Sequence, residues 1–279
     1  MTNLGGPIPT VQLRHGAEMP VLGLGTAPMD DAETAAAVRQ AVEFGYRHFD
    51  TAEQYCNERG VGLGIRDSGL DRSEVFVTTK FNRQWHSVDG ARQAWRASIE
   101  RLGTDYVDLL LIHWPHPAQD RYVDAFRGLV ELLQDGSVRA IGTSNFKPAH
   151  IARIVEETGE VPDVNQIELS PYTTRDASRA DSAARGIVTE SYSPIKRGGL
   201  LTDPVVFEVA EAIGRTPAQT VLRWHVQQGL VPIPKSANPQ RMQENATIFD
   251  FELTDEQLGR ISALDRGEAA ATDSDTVGH

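Results

Sequence analysis

Short runs of Val, Ile and Leu alternate along the chain with longer stretches in which apolar residues recur at helical spacing. The short runs predict strands at residues 21–25, 48–50, 75–80, 107–113, 138–144, 164–168, 187–193 and 231–235. Several of them are apolar along their length, as strands covered on both faces of a parallel sheet must be. Between them, Ala91, Trp95, Ile99 and Leu102 follow a helical period after Asp89, which reads as the N-cap. Thr216-Pro217 and Asn238-Pro239 each read as a cap followed by proline at the first helical position.

Strand–helix units repeated in this way favour a (β/α)8 TIM barrel, an α/β fold, with an open doubly wound sheet as the structural rival. Residues 10–14 and 17–20 flank His15-Gly16 and predict a small β-hairpin ahead of the repeat. No low-complexity linker interrupts the pattern. A single barrel domain over residues 1–279 is therefore expected, with a polar, acidic tail from about 266 draped loosely on the surface.

In such a barrel the chemistry collects at the C-terminal ends of the strands. The second predicted strand ends in Asp50, closely followed by Tyr55. The third ends in Lys80 and the fourth in His113. Ser144 and Asn145 end the fifth, and the sixth carries Gln166 and Glu168. Tyr192 and Ser193 end the seventh, and Lys235 and Ser236 the eighth. Taken singly, each has an ordinary explanation as packing, capping or a solvated charge. It is the conjunction of Asp50, Tyr55, Lys80 and His113 on neighbouring strands that suggests chemistry. A phenol titrates near 10, too high for easy proton transfer at neutral pH. A nearby ammonium lowers that value, an adjacent carboxylate keeps the ammonium charged, and a histidine can hydrogen-bond a carbonyl oxygen. The group suits protonation of an oxygen as a hydride arrives at carbon.

Composition narrows the field. The 279 residues carry a net charge of −12, which argues against a nucleic-acid or anionic-membrane partner. Cys56 is the one cysteine, so no internal disulfide forms and a reducing compartment fits. The N-terminus has neither the basic nor the apolar region of a secretory signal, and a cytoplasmic protein is the expectation. There is no His-x-x-x-His pair and no cysteine cluster, so no metal is expected. Gly23-Leu24-Gly25-Thr26 begins like a dinucleotide fingerprint but lacks its third glycine. Two other readings remain at this stage: a Schiff-base aldolase using Lys80, and a nucleotide-binding module without turnover.

The ordered motifs settle the comparison. Gly45-Tyr46-Arg47-His48-Phe49-Asp50-Thr51-Ala52 with Tyr55 and Asn57-Glu58 comes first, then Leu102-Gly103-Thr104-Asp105-Tyr106-Val107-Asp108-Leu109. Ile112-His113-Trp114-Pro115, Ile141-Gly142-Thr143-Ser144-Asn145-Phe146 and Ile233-Pro234-Lys235-Ser236 follow, with Arg241, Glu244 and Asn245. Over nearly the whole chain the sequence resembles the aldo/keto reductases, in particular their short-loop bacterial members. The resemblance implies reduction of aldehydes or ketones by NADPH, with Tyr55 as general acid in a tetrad with Asp50, Lys80 and His113. It implies that Ser144, Asn145 and Gln166 hold the nicotinamide carboxamide, that Tyr192 stacks on the ring beside Ser193, and that Gly25 and Thr26 approach it. It also implies that Ser236, Asn238, Glu244 and Asn245 contact the phosphate, ribose or adenine of NADPH/NADP+. Lys235 and Arg241 beside a helix N-terminus favour a 2′-phosphate, hence NADPH over NADH. A monomer acting on a small-molecule carbonyl is the expectation.

The chain leaves the family pattern around the pocket. Ala27 stands where relatives often have an aromatic, Lys80-Phe81-Asn82-Arg83 follows the third strand, and Ile195-Lys196-Arg197-Gly198-Gly199 follows Pro194. Met29, Trp85 and Trp114 are the candidate apolar wall. Lys196 and Arg197 could clamp the cofactor pyrophosphate, attract an acidic substrate, or be solvated loop charges.

Overall fold

A computed structural model of the protein describes residues 7–278. Two short antiparallel strands, β1 (Thr10–Gln12) and β2 (Glu18–Pro20), form the expected hairpin. Eight parallel strands follow: β3 (Leu24–Gly25), β4 (His48–Asp50), β5 (Phe76–Phe81), β6 (Val107–Ile112), β7 (Val138–Ser144), β8 (Val164–Glu168), β9 (Val188–Tyr192) and β10 (Val231–Pro232). Each pairs with its neighbour in sequence. The two ends of the sheet then meet, because the Gly23 and Gly25 amides donate to the carbonyls of Pro232 and Pro234 at 3.1 and 3.2 Å. The sheet is thus a closed barrel and not a doubly wound sheet.

Six strands lie within one residue of their sequence-predicted bounds. The exceptions are β3 and β10, which are short where they meet. Pro232 and Pro234 have no N–H to give, so the ladder there is sparse. Gly25 is needed at this seam: a Cβ on it would lie 2.9 Å from the Ile233 carbonyl oxygen.

The core has two layers. Inside the lower barrel, Phe76, Leu109, Leu111, Ala140, Val164 and Val231 pack with Leu13 and Met19 of the hairpin, which plugs that end. Outside, Leu110, Ile112 and Ile141 pack against the helices. That two-sided burial is why β5 and β6 are buried at every position.

The helices are α1 (Asp31–Glu43), α2 (Glu58–Ser68), α3 (Val88–Leu102), α4 (Tyr122–Gln134), α5 (Pro148–Thr158), α6 (Asp176–Ala184), α7 (Pro204–Ile213), α8 (Pro217–Gln227), α9 (Pro239–Ala246) and α10 (Asp255–Ser262). Thr216 and Asn238 cap α8 and α9 as expected. The cap of α3 is Ser87, whose hydroxyl accepts from the Gly90 amide, and not Asp89. Asp89 lies in the first turn instead, where the helix dipole favours an acid. On α2 a Cβ at Gly62 would fall 1.8 Å from the Leu102 carbonyl oxygen, and one at Gly60 would fall 2.4 Å from that of Asp31. Both glycines let α2 press against its neighbours, and α2 directly follows the loop that carries Tyr55.

The tail is more firmly held than its composition suggests. Thr272 donates through its amide and hydroxyl to Glu168 at 3.1 and 3.0 Å. Lys147 pairs with Asp273 and Asp275, and His150 with Asp275. A Cβ on Gly278 would touch His116 and Trp114, so the tail reaches the barrel mouth. Acidic residues that look merely solvating in sequence find cations on the rim. No described helix is long and apolar enough to cross a membrane.

Candidate active site

Three neighbouring parallel strands, β4, β5 and β6, bring the predicted tetrad together at the mouth. Lys80, next to last in β5, is fully enclosed. Its ammonium donates to Asp50 Oδ1 at 2.7 Å, to the Thr51 carbonyl at 2.9 Å and to the Tyr55 hydroxyl at 3.4 Å. His113, one residue past β6, meets Tyr55 edge to face with ring centroids 5.8 Å apart. Its Nδ1 lies 3.3 Å from Asn82 Oδ1. Asp50 does not cap a helix; its second oxygen accepts from Gln166 Nε2 at 2.8 Å.

The electrostatics follow from burial. Desolvation pulls the Lys80 ammonium down, but the Asp50 carboxylate, foremost among its neighbours, acts against this through its charge and its hydrogen bond, and the ammonium is pushed up to about 12. A wholly buried ammonium with three acceptors has no free lone pair at neutral pH, which disfavours the Schiff-base reading. Tyr55 departs from the sequence expectation. Burial pushes its phenol above the ordinary value, and Lys80 pulls it only part of the way back. The phenol therefore stays protonated at neutral pH.

The Tyr55 loop is anchored from below and from the side. Asn57 is buried and receives a hydrogen bond from Thr51 Oγ1 at 2.7 Å, while its amide donates to the carbonyls of Thr26 and Met29. Glu58 accepts from Thr79 and Arg101. Glu53 accepts from the Asn82 amide, from Gln84 and from the Trp85 indole, the last at 2.9 Å. Glu53 thereby ties the Tyr55 turn to the loop after β5. The sequence reading did not single out Glu53, and it quoted Asn57 and Glu58 without a role; a short polar residue followed by an acid offers no local signal of such distant partners.

Of the proposed cofactor residues, Ser144, Asn145 and Tyr192 form one cluster. Asn145 Nδ2 donates to Ser144 Oγ and to the His113 carbonyl, and its Oδ1 accepts from the Tyr192 hydroxyl at 2.9 Å. Asn145 (φ 65°) and Ser193 (φ 52°) both take left-handed backbone at strand ends. Gln166 gives its amide nitrogen to two carboxyl groups, Asp50 at 2.8 Å and Glu190 at 2.6 Å. That fixes its orientation and leaves its carbonyl oxygen to face other donors. Thr26 is different. Its hydroxyl is buried and donates to the Asp50 carbonyl, so its side chain supports the strand end.

Beyond β10, Asn238 caps α9 by accepting from the Arg241 amide at 3.0 Å, and its own amide donates to Ser236 Oγ. Glu244 accepts from Gln240, and Asn245 is buried in the helix. Lys235 and Arg241 are exposed, and among the described residues neither has a carboxylate partner. Unpaired cations beside a helix N-terminus form a donor set for a phosphate.

The candidate wall is mixed. Met29 is buried and lines an open cleft of about 610 Å³ with Tyr55, Cys56 and Asp30. Trp114 is nearly enclosed, and Trp85 is held by Glu53. Lys196 pairs with Glu168 at 2.6 Å. The side chain of Arg197 lies outside the described residues.

A model of the Aldo/keto reductase family matches residues 21–266. The chain is 45% identical over 268 residues to an aldo-keto reductase of Mycobacterium sp. (strain KMS), covering 96% of this chain and 97% of that one. It is 43% identical over 273 residues to the methylglyoxal reductase DkgA of Escherichia coli O157:H7, covering 97% and 98%. A crystal structure of a Gox0644 mutant in complex with NADPH superposes with a TM-score of 0.93 at 40% identity, covering 98% of this chain and all of that one. With its closed barrel and its Lys80-centred mouth, the chain belongs to the aldo/keto reductase family.

Proposed function

We propose that this enzyme reduces small aldehydes and ketones with NADPH, and that Tyr55 delivers the proton to the carbonyl oxygen. The observation that carries the role of Tyr55 is the hydroxyl at 3.4 Å from an ammonium that Asp50 keeps charged. When bound, NADPH supplies a hydride to the carbonyl carbon. What supports its binding is the Ser144, Asn145 and Tyr192 cluster with Gln166 at the strand ends, and the exposed Lys235 and Arg241 at the start of α9. As the carbonyl oxygen gains negative charge, His113 orients it and Tyr55 gives up its proton, forming the O–H bond of the alcohol. Lys80 stabilises the resulting phenolate, and water returns the proton. Kinship with a methylglyoxal reductase makes a 2-oxoaldehyde the first substrate to try.

Tyr55→Phe tests the assignment. Turnover should fall by a factor of about 100 or more, the usual contribution of a general acid, while NADPH binding persists. Near wild-type turnover would remove Tyr55 from the role. The exposed single cysteine and the acidic charge support reading the protein as a cytoplasmic monomer without nucleic-acid partners, and light scattering tests the oligomeric state.

A further inference from the structure

We propose that Glu190 is a positioning residue for the reduction: as a neutral carboxylic acid sharing one proton with His48, it holds the Gln166 amide and keeps a second negative charge out of the array beneath Tyr55. The inference rests on the Tyr55 reading above.

Glu190 lies on β9 with no exposed surface. From β8, Gln166 Nε2 donates to its Oε2 at 2.6 Å. From β4, His48 Nε2 stands 3.4 Å from its Oε1. The charged groups that face it are Asp50 on β4 and Lys80 on β5. Tyr55 senses its charge from the loop after β4. On its own strand the neighbours are Thr189 and Ser191, and β10 adds only Val231 and Pro232 alongside.

The proton can be placed by counting donors. His48 Nδ1 is 3.3 Å from the Pro20 carbonyl, which can only accept, so the ring's proton is on Nδ1. Nε2 then presents a lone pair toward Thr78 Oγ1 at 3.1 Å and toward Glu190 Oε1. Glu190 Oε1 is a buried oxygen with no hydrogen-bond donor. An ionised carboxylate would set lone pair against lone pair in a dry interior, which is unfavourable. A proton on Oε1 removes the conflict by pointing at Nε2. Burial favours this neutral pair over an imidazolium–carboxylate pair. Desolvation lowers His48 to about 4, and desolvation together with Asp50 raises Glu190 to about 8.

The consequence for Tyr55 is electrostatic. Lys80 and Asp50 already cancel. With Glu190 neutral, phenolate formation at Tyr55 adds one negative charge beside an ammonium. With Glu190 ionised, the same step adds a second uncompensated charge to the enclosed array, and Tyr55 becomes a weaker acid.

The test uses Glu190→Gln, which preserves shape and both hydrogen-bond directions but cannot ionise. In the alcohol-oxidation direction Tyr55 must act as a base, so its ionisation appears in the pH profile. That inflection should move to lower pH in E190Q by about half a unit or more. The infrared difference spectrum of wild type minus E190Q should show a protonated carboxyl at pH 7 that converts to carboxylate above about pH 8. Coincident oxidation profiles, or a carboxylate signal at pH 7, would overturn the proposal. If Tyr55→Phe were active, the Tyr55 reading would fail first. Inactive Tyr55→Phe with coincident E190Q and wild-type profiles defeats only the role of Glu190.

Discussion

Lys80 and Asp50 form an ion pair 2.7 Å long in which neither side chain is more than 2% exposed. Buried pairs of this kind gain little over apolar packing, but losing one partner strands the other's charge. Asp50→Ala and Lys80→Met should each destabilise the fold by about 3–5 kcal/mol. The double variant should cost at least about 1 kcal/mol less than their sum. Urea unfolding of the four proteins measures the coupling, and strict additivity would contradict it.

Among the described residues Arg241 and Lys235 have no carboxylate partner, in a protein of net charge −12. Arg241→Ala should weaken NADPH binding by about tenfold or more, equivalent to about 1.4 kcal/mol. NADH, which lacks the 2′-phosphate, should lose far less. Fluorescence titration with both nucleotides decides; equal losses would remove Arg241 from that contact.

Glu53 joins the Tyr55 turn to Asn82 and Trp85. Glu53→Ala frees the loop after β5, and with it Asn82, which touches His113. A drop in kcat/KM of about tenfold is expected, the equivalent of one or two lost hydrogen bonds, with NADPH affinity little changed. Unaltered steady-state kinetics would show that the loop holds itself in place.

His86 is buried, and among the described residues neither of its ring nitrogens has a hydrogen-bond partner. Burial, aided by His116 and Arg121, lowers it to about 4 from an ordinary 6.5. Burial likewise lowers His225 to about 3. Because the unfolded chain binds these protons first, the stability they contribute is complete above about pH 6.5. It drains away as pH falls through about 4. The melting temperature should therefore fall across that window, and His86→Phe should flatten the fall. An unchanged pH slope in that variant would count against the assignment.

Most of the architecture was legible in the chain. Periodicity alone gave eight strands and the hairpin, because two-sided burial demands apolar runs and a one-sided helix demands a period near 3.6. The tetrad was legible for a related reason: barrel strands end at one rim, so polar residues closing apolar runs are brought to that rim.

Where the sequence was silent, the missing information was spatial. Asp89 looked like a cap, but Ser87 reached the Gly90 amide. The acidic tail looked unattached, yet Lys147, His150 and Glu168 lay within reach. Lys80 was expected to lower Tyr55, and only the tertiary structure disclosed the burial that outweighs it. Glu190 was invisible for the strongest reason. It stands in an otherwise ordinary strand, and its meaning depends on His48 and Asp50, some 140 residues earlier, which closure of the barrel brings beside it. Sequence determines which side chains end the strands. Closure determines how far each is dried and which charges it faces, and these set where the protons reside.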